Sequence, residues 1–352
     1  MKLGIIGLPQ TGKKTLFELL TGSAPSPADA QKGSAGVADI RDSRFLALSR
    51  MYNPKKETPA RIDMQLLPKL DPGTARDFRD VADADALCHV VRVFQDDSIY
   101  HVSGSVDPVR DIETVNGELF LSDLVFIEKR LDRIEKDRKK KEDKRLLDEA
   151  ELLNRFRTHL EADLPLRTLT ITDEEKKLIS GYPFLTRKKM LVVLNTDDDT
   201  SKKTGLIESL SSKFTTMEID IMQVPAKLEL EIATLESEEE RVEFMKDAGI
   251  TVSALEQLSM LAMTSLGLMS YFTVGKDEVR QWLVRRNATA PEAAGAIHSD
   301  IQRGFIRAEV IKYADLMSLK SEDEVKKAGK LYVMGKDYIV EDGDIINFRF
   351  NV

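Results

Sequence analysis

The sequence predicts an α/β fold: a mostly parallel sheet covered by helices, interrupted by a helical hairpin and followed by a small β-rich module. Three observations predict it. The chain opens as strand, glycine loop and helix. Further apolar strands then alternate with helical segments. Residues 117–164 break that rhythm with two long amphipathic helices around a charged turn.

Lys2 to Ile6 is a short apolar run that ends in glycine and reads as a buried parallel strand. Gly7 to Gly12 is a loop, and Lys13 to Leu20 has helical spacing through Leu16, Phe17, Leu19 and Leu20. Gly22 to Gly36 is rich in Ala, Ser, Pro and Gly and reads as a mobile loop. Further strands are expected at Ile62–Leu67, Leu87–Phe94, Met190–Leu194 and Met217–Val224. In the hairpin, Leu121, Leu124, Ile127, Leu131 and Ile134 mark one helix, and Leu146, Leu153, Phe156 and Leu160 the other. Its tip, Lys136 to Arg145, holds seven basic and three acidic residues. That tip reads either as a solvated turn or as a contact for phosphate backbones. From about Leu266 the pattern becomes ββαβ. It has strands at Tyr271–Val274 and Val279–Val284, a helix at Ala290–His298, and strands at Phe305–Tyr313 and Ile345–Val352.

At 352 residues the chain exceeds one ordinary core, so two or three domains are expected. Cys88 is the single cysteine, which excludes an internal disulfide and fits a reducing compartment. It sits in an apolar run and reads as a buried small hydrophobe. No run approaches the roughly 18 apolar residues of a membrane span, and the N-terminal apolar run is too short for a secretory signal. A cytoplasmic location is therefore expected. The net charge of −8 argues against wholesale coating of nucleic acid but allows a local basic patch.

The strongest chemical signal is Gly7-Leu-Pro-Gln-Thr-Gly12-Lys13-Lys14-Thr15. Such a loop aims backbone N–H groups at phosphate oxygens, and the helix N-terminus adds partial positive charge. Gly7, Pro9, Gln10, Thr11, Gly12, Lys13, Lys14 and Thr15 are the phosphate-binding candidates, with Lys13 reaching the β- and γ-phosphates. The full motif requires Ser or Thr directly after the lysine, to ligate Mg²⁺. Lys14 stands there, and Thr15 is one residue late, about 100° around the helix. A purely structural glycine loop is the competing reading. After the strand at Met190–Leu194 comes Asn195-Thr-Asp-Asp198, where Asn195 and Asp198 are candidates for contacting a base. An ordinary polar turn is the alternative there.

None of His89, His101, His159 and His298 has ligand spacing with Cys or another His, so no metal site is expected. His89 on a strand reads as a satisfied core histidine. Trp282 reads as packed, with stacking on RNA beside Arg280, Arg285 and Arg286 as the alternative. No catalytic residue can be named from the sequence.

Several long runs carry a family resemblance. They are Asp80 to Phe94 (DVADADALCHVVRVF), His101 to Ile112 (HVSGSVDPVRDI), Tyr271 to Gly275 (YFTVG), Ala290 to His298 (APEAAGAIH), Gly304 to Val310 (GFIRAEV), Gly335 to Val340 (GKDYIV) and Phe348 to Val352 (FRFNV). On these runs the chain resembles the YchF subfamily of Obg-like P-loop ATPases over nearly its whole length. The resemblance implies a P-loop G domain at 1–116 and 165–265, an antiparallel coiled-coil arm at 117–164, and a β-grasp (TGS) domain at 266–352. It also implies binding of a purine nucleotide, ATP or GTP, and association with ribosomes or RNA. Val224-Pro-Ala-Lys227 resembles the family's Ser-Ala-Lys run that backs the base, with Pro225 in place of serine, so Lys227 joins the candidates.

The departures from the family fall on catalytic parts. Relatives have Ser at the position of Lys14 and a switch threonine that Ala30–Gly36 lacks. They also have Asp-x-x-Gly where this chain has Leu66-Leu-Pro-Lys69, and a glycine-rich switch where it has Leu70–Arg76. Mg²⁺ at the usual position is thereby put in doubt. Unit charges about 4 Å apart interact by about 4 kcal/mol at an effective dielectric near 20, so a lysine there opposes a divalent ion by about 8 kcal/mol before it swings away. The expectation is that Lys14 partly replaces the metal's charge, with Mg²⁺-independent binding and very slow hydrolysis. The competing expectation is a scaffold without nucleotide that holds the basic arm and C-terminal module against RNA or a ribosomal partner.

Overall fold

The computed structural model describes residues 1–26, 33–67, 78–139, 143–197, 205–235, 237–247 and 252–351. Along the chain run β1 (Lys2–Ile6), α1 (Lys13–Thr21), β2 (Ser34–Asp39), α2 (Ser43–Tyr52), β3 (Lys56–Thr58) and β4 (Arg61–Leu66). They are followed by α3 (Arg79–Ala82), β5 (Ala86–Arg92), α4 (Pro108–Arg138), α5 (Lys144–Glu161), α6 (Asp173–Leu178) and β6 (Lys189–Asn195). Next come α7 (Leu206–Lys213), β7 (Ile219–Val224), α8 (Ala226–Ala233), α9 (Glu238–Asp247) and α10 (Ala254–Ser265). The chain closes with β8 (Leu268–Thr273), β9 (Glu278–Arg285), α11 (Ala290–Ile297), α12 (Ser299–Arg303), β10 (Phe305–Lys312), α13 (Tyr313–Leu319), α14 (Glu322–Lys327), β11 (Tyr332–Met334) and β12 (Asp344–Phe350). These elements form two compact units, residues 1–37 with 63–255 and residues 38–62 with 256–352.

The first unit carries a sheet in the order β2-β4-β1-β5-β6-β7. β1 runs parallel to β4 and β5, β5 to β6, and β6 to β7. The reason is in the side chains. β5 (ALCHVVR) is buried at every position, and β6 (KMLVVLN) at every position but the first, so both faces need helical cover. After β1 the chain goes to β2 and β4 on one side and to β5, β6 and β7 on the other. The loop leaving the carboxyl end of β1 therefore sits at a topological switch point, where such sheets bind ligands.

Asp107 caps α4 by accepting from Arg110 N at 3.1 Å, and Pro108 occupies the first turn. The helix thus begins ahead of the expected hairpin. Its first turns pack Ile112, Val115 and Leu119 against Leu87 and Val91 of β5. Beyond them Ile127 and Ile134 join Leu152, Leu153 and Phe156 of α5 in a separate apolar cluster. α4 has 31 residues, about 46 Å of helix, and α5 has 18. Arg130 donates to both carboxylate oxygens of Glu149, at 2.6 and 2.8 Å, and to the Tyr182 hydroxyl at 2.9 Å. Residues 140–142 of the basic tip lie outside the described residues.

The second unit carries the order β11-β10-β12-β8-β9-β3. β10 is antiparallel to β11 and β12, β8 is parallel to β12 and antiparallel to β9, and β3 is parallel to β9. Successive residues of β8 face opposite ways. Tyr271 packs with Ala293 and Ala294 of α11. Phe272 packs with Leu316 of α13, Val325 of α14, and Phe45 and Leu48 of α2.

Residues 38–62 are expected from sequence in the G domain, yet they cluster with this second unit because β3 extends its sheet and α2 fills its core. The expected loop at Gly22–Gly36 is also shorter at its end, since β2 begins at Ser34. Phe156 is 1% exposed and meets Phe184 edge-on at 5.4 Å. Phe156→Ala is expected to cost about 3–5 kcal/mol through the cavity it leaves, read as a lowered midpoint in chemical denaturation.

Candidate functional site

β1 delivers the chain into Gly7 with φ 143°. A Cβ there would lie 2.4 Å from the Val90 carbonyl oxygen, so only glycine passes so close beside β5. Gln10 adopts a left-handed φ of 60°, and Thr11 Oγ1 donates to Leu8 O at 3.1 Å. Gly12, φ 89°, is the N-cap of α1. The loop is thereby folded back on itself at the start of a helix, whose N-terminus favours anions.

Lys13 is buried and its ammonium donates to Gly7 O at 2.6 Å and Leu8 O at 2.5 Å. Those carbonyls hold the cation directly over the loop. Lys14 is exposed at the first turn of α1, and Thr15 is half-buried. Residues Pro9 to Thr15 line a cavity of about 370 Å³. Its other described walls are Pro25 and Ser26, Gly33 and Ser34 at the start of β2, and Leu66 and Leu67 at the end of β4. Sequence reading missed these walls. Ser34 sits in a glycine-rich stretch, and Leu66 and Leu67 read as ordinary strand residues.

A bound Mg²⁺ needs hard oxygen ligands, carboxylates above all. The described lining supplies hydroxyls from Thr11, Thr15, Ser26 and Ser34, no carboxylate, and the ammonium groups of Lys13 and Lys14. Among the described lining residues, that donor set suits an anion. Residues 27–32 and 68–77, with the expected switch run Leu70–Arg76, lie outside the described residues.

Asn195, at the end of β6, is buried. Its Nδ2 donates to Thr11 O at 3.0 Å, and its Oδ1 accepts from Ala226 N at 3.2 Å. Both ends of the carboxamide thus brace the glycine loop against the start of α8. A Cβ on Gly12 would come within 2.0 Å of that Nδ2. Asp198 lies outside the described residues. Lys227 is exposed on α8 and is not part of the cavity lining. Hydrogen bonds from Ser98 hold the Asp96 carboxyl below its usual range, helped by the charges of Arg92 and Lys227.

The histidines behave differently from one another. His101 Nε2 pairs with the buried Asp111 carboxylate at 2.9 Å, and its Nδ1 accepts from Ser103 N at 3.1 Å. His89 was expected to be satisfied. It is fully buried beneath the glycine loop, and neither ring nitrogen has a hydrogen-bond partner among the described residues. In the sheet it stands opposite Ile6 of β1 and Val192 of β6. Cys88 is buried, and burial pushes its thiol up to about 12. Trp282 is half-buried, its indole N–H donates to Thr273 Oγ1 at 3.0 Å, and the Arg280 guanidinium covers its ring at 3.8 Å. Among the described residues no His, Cys, Asp and Glu cluster could hold a metal.

Two outcomes are expected. Gly12→Ala must strain the backbone and displace Asn195, costing about 1–3 kcal/mol of stability, whereas Lys14→Ala should stay within about 0.5 kcal/mol; thermal denaturation of both variants checks this. Burial, with the Lys13 charge adding, lowers the His89 imidazole from 6.5 to about 3. The unfolded chain then takes up the proton first. The stability tied to neutral His89 is present above about pH 6.5 and is lost as the pH falls towards 3. Denaturation midpoints measured across that range should fall less steeply for His89→Leu than for the parent chain.

Comparison with known proteins bears on the same residues. The family model YchF-GTPase_C, described as a protein of unknown function (DUF933), matches residues 268–351. The ribosome-binding ATPase YchF of Bacillus subtilis (strain 168) is 40% identical over 99% of this chain and 99% of its own. Obg-like ATPase 1 of Caenorhabditis elegans is 36% identical over 100% of this chain and 92% of its own. The solved structure of the Schizosaccharomyces pombe YchF GTPase superposes with a TM-score of 0.83 at 29% identity, covering 99% of this chain and 97% of that one.

Proposed function

Because this chain belongs to the YchF family of Obg-like ATPases, we propose that it binds the triphosphate of a purine nucleotide, ATP or GTP, at Gly7–Thr15. The observation that carries this reading is the cavity around a glycine loop that opens a helix with two consecutive lysines, its described lining holding no carboxylate. Lys13 exchanges its contacts with Gly7 O and Leu8 O for phosphate oxygens. Lys14 supplies positive charge that Mg²⁺ supplies elsewhere in such loops, so binding needs no Mg²⁺. Asn195 keeps the loop in shape, which leaves Asp198 as the acceptor for a base.

Hydrolysis is slow in this reading. Phosphoryl transfer depends on positioning and on charge stabilisation by the metal and its ligands, and the described lining supplies Lys14 in their place. Relatives named ribosome-binding ATPases support a ribosome partner. The hairpin of α4 and α5 is the coiled-coil arm of this proposal, with its basic tip as the contact. Residues 266–352 are its TGS domain.

Nucleotide-stripped protein titrated with ATP and with GTP, each with Mg²⁺ or with EDTA, tests this. Affinity in EDTA at least as high as with Mg²⁺ is expected, with at least tenfold weaker binding for Lys13→Ala and a gain of Mg²⁺ dependence for Lys14→Ser. Binding that collapses in EDTA, or turnover rising strongly with Mg²⁺, contradicts the reading. No binding of either nucleotide favours the scaffold.

A further inference from the structure

Within the second unit, β9 carries the one tryptophan of the chain, and two neighbours fix its ring. Tyr271, fully buried on β8, lies nearly parallel to Trp282, with 12° between the planes and 6.4 Å between centroids. The Arg280 guanidinium covers the ring at 3.8 Å. A guanidinium laid on an aromatic ring keeps the N–H groups of its edge for acceptors.

Those N–H groups have no acceptor, and Arg280 no ion-pair partner, among the described residues. Glu278 feels its charge, but that carboxylate is engaged by Thr58 Oγ1 at 2.6 Å and Lys56 Nζ at 3.0 Å. Thr273 of β8 stands opposite Arg280 in the sheet. Its Oγ1 accepts from the Trp282 indole N–H at 3.0 Å, so its own proton is available to a further acceptor. Arg280, Trp282 and Thr273 are each half-buried, and solvent reaches them.

The surroundings are close to neutral. Lys55 pairs with Asp277 at 2.8 Å, and Lys56 with Glu278 at 3.0 Å. Residues of β9 alternate between faces, so Arg285 falls opposite to Arg280, and Arg286 lies beyond the strand. The three arginines that the sequence groups together therefore form no continuous track. A nucleic-acid backbone gains affinity from several phosphates held at once. A lone uncompensated guanidinium suits a single carboxylate, which it takes through two parallel N–H···O bonds.

We propose that Arg280, braced on Trp282 and flanked by Thr273, is a receptor for one carboxylate, the aspartate or glutamate side chain of a protein partner. The carboxylate accepts from the guanidinium edge and from the Thr273 hydroxyl. The site lies wholly in the second unit and stands whether or not the glycine loop holds nucleotide.

Trp282 gives the full chain a single indole N–H signal in proton–nitrogen NMR. At constant ionic strength that signal is followed while N-acetylglutamate N-methylamide, the matching glutamine compound or a single-stranded RNA is added. A saturable shift is expected with the glutamate compound and none with the glutamine compound. Arg280→Lys keeps the charge but loses the flat fork, and is expected to bind about fivefold or more weakly. Thr273→Ser is expected to bind like the parent chain and Thr273→Val more weakly, which tests the same geometry without touching Arg280. No saturable shift with the glutamate compound, or affinities unchanged in both Arg280→Lys and Thr273→Val, overturns the proposal. RNA that displaces the glutamate compound overturns it too, and makes the site a nucleic-acid contact.

Discussion

The carboxamide of Asn195 is the contact on which the candidate site depends. Three segments far apart in sequence meet there: the glycine loop through Thr11 O, the end of β6, and the start of α8 through Ala226 N. Each bond is ordinary in strength, worth about 1 kcal/mol net. The consequence is geometric. The carboxamide fits only because residue 12 has no side chain, and residue 12 is also the left-handed cap that opens α1. Brace, glycine and helix start therefore specify one another.

The electrostatics follow from that shape. Donors and positive charge converge at the start of α1, where Lys13 is already desolvated and held by carbonyls. A buried ammonium needs such partners, since an unpaired one is expensive. A phosphate offers it stronger, charge-assisted bonds than a carbonyl does. The exposed Lys14 adds a second cation at the rim, where solvent screens it and lets it swing. The Schizosaccharomyces pombe YchF GTPase shares this fold over nearly its whole length, and the proposal places any difference from it in the groups around the loop.

Much of this was legible in the sequence, and the reasons are physical. β5 and β6 are doubly covered strands, so they read as unbroken apolar runs. The glycine loop read clearly because its shape needs glycine at fixed places. α2 and β3 were harder. β3 has only three residues, none buried, and its partner strand lies more than 200 residues away. Nothing local marks such a pairing. The brace at Asn195 was hidden for the same reason: its partners are 184 and 31 residues distant, and an asparagine after a strand reads equally well as a turn or a base contact. His89 misled differently. Its strand position was right, but a ring whose nitrogens have no partner among the described residues cannot be told from a satisfied one without neighbours in view.

The direct test of an anion site that excludes magnesium is the affinity of a divalent ion for nucleotide already on the protein. Free Mn²⁺ can be counted by its electron paramagnetic resonance signal while it is titrated into protein saturated with ATP or GTP. Linkage requires that a site repelling the metal weaken its hold on the nucleotide. The expected result is weaker Mn²⁺ binding to the bound nucleotide than to the same nucleotide free in solution. Tighter Mn²⁺ binding on the protein would contradict the central claim.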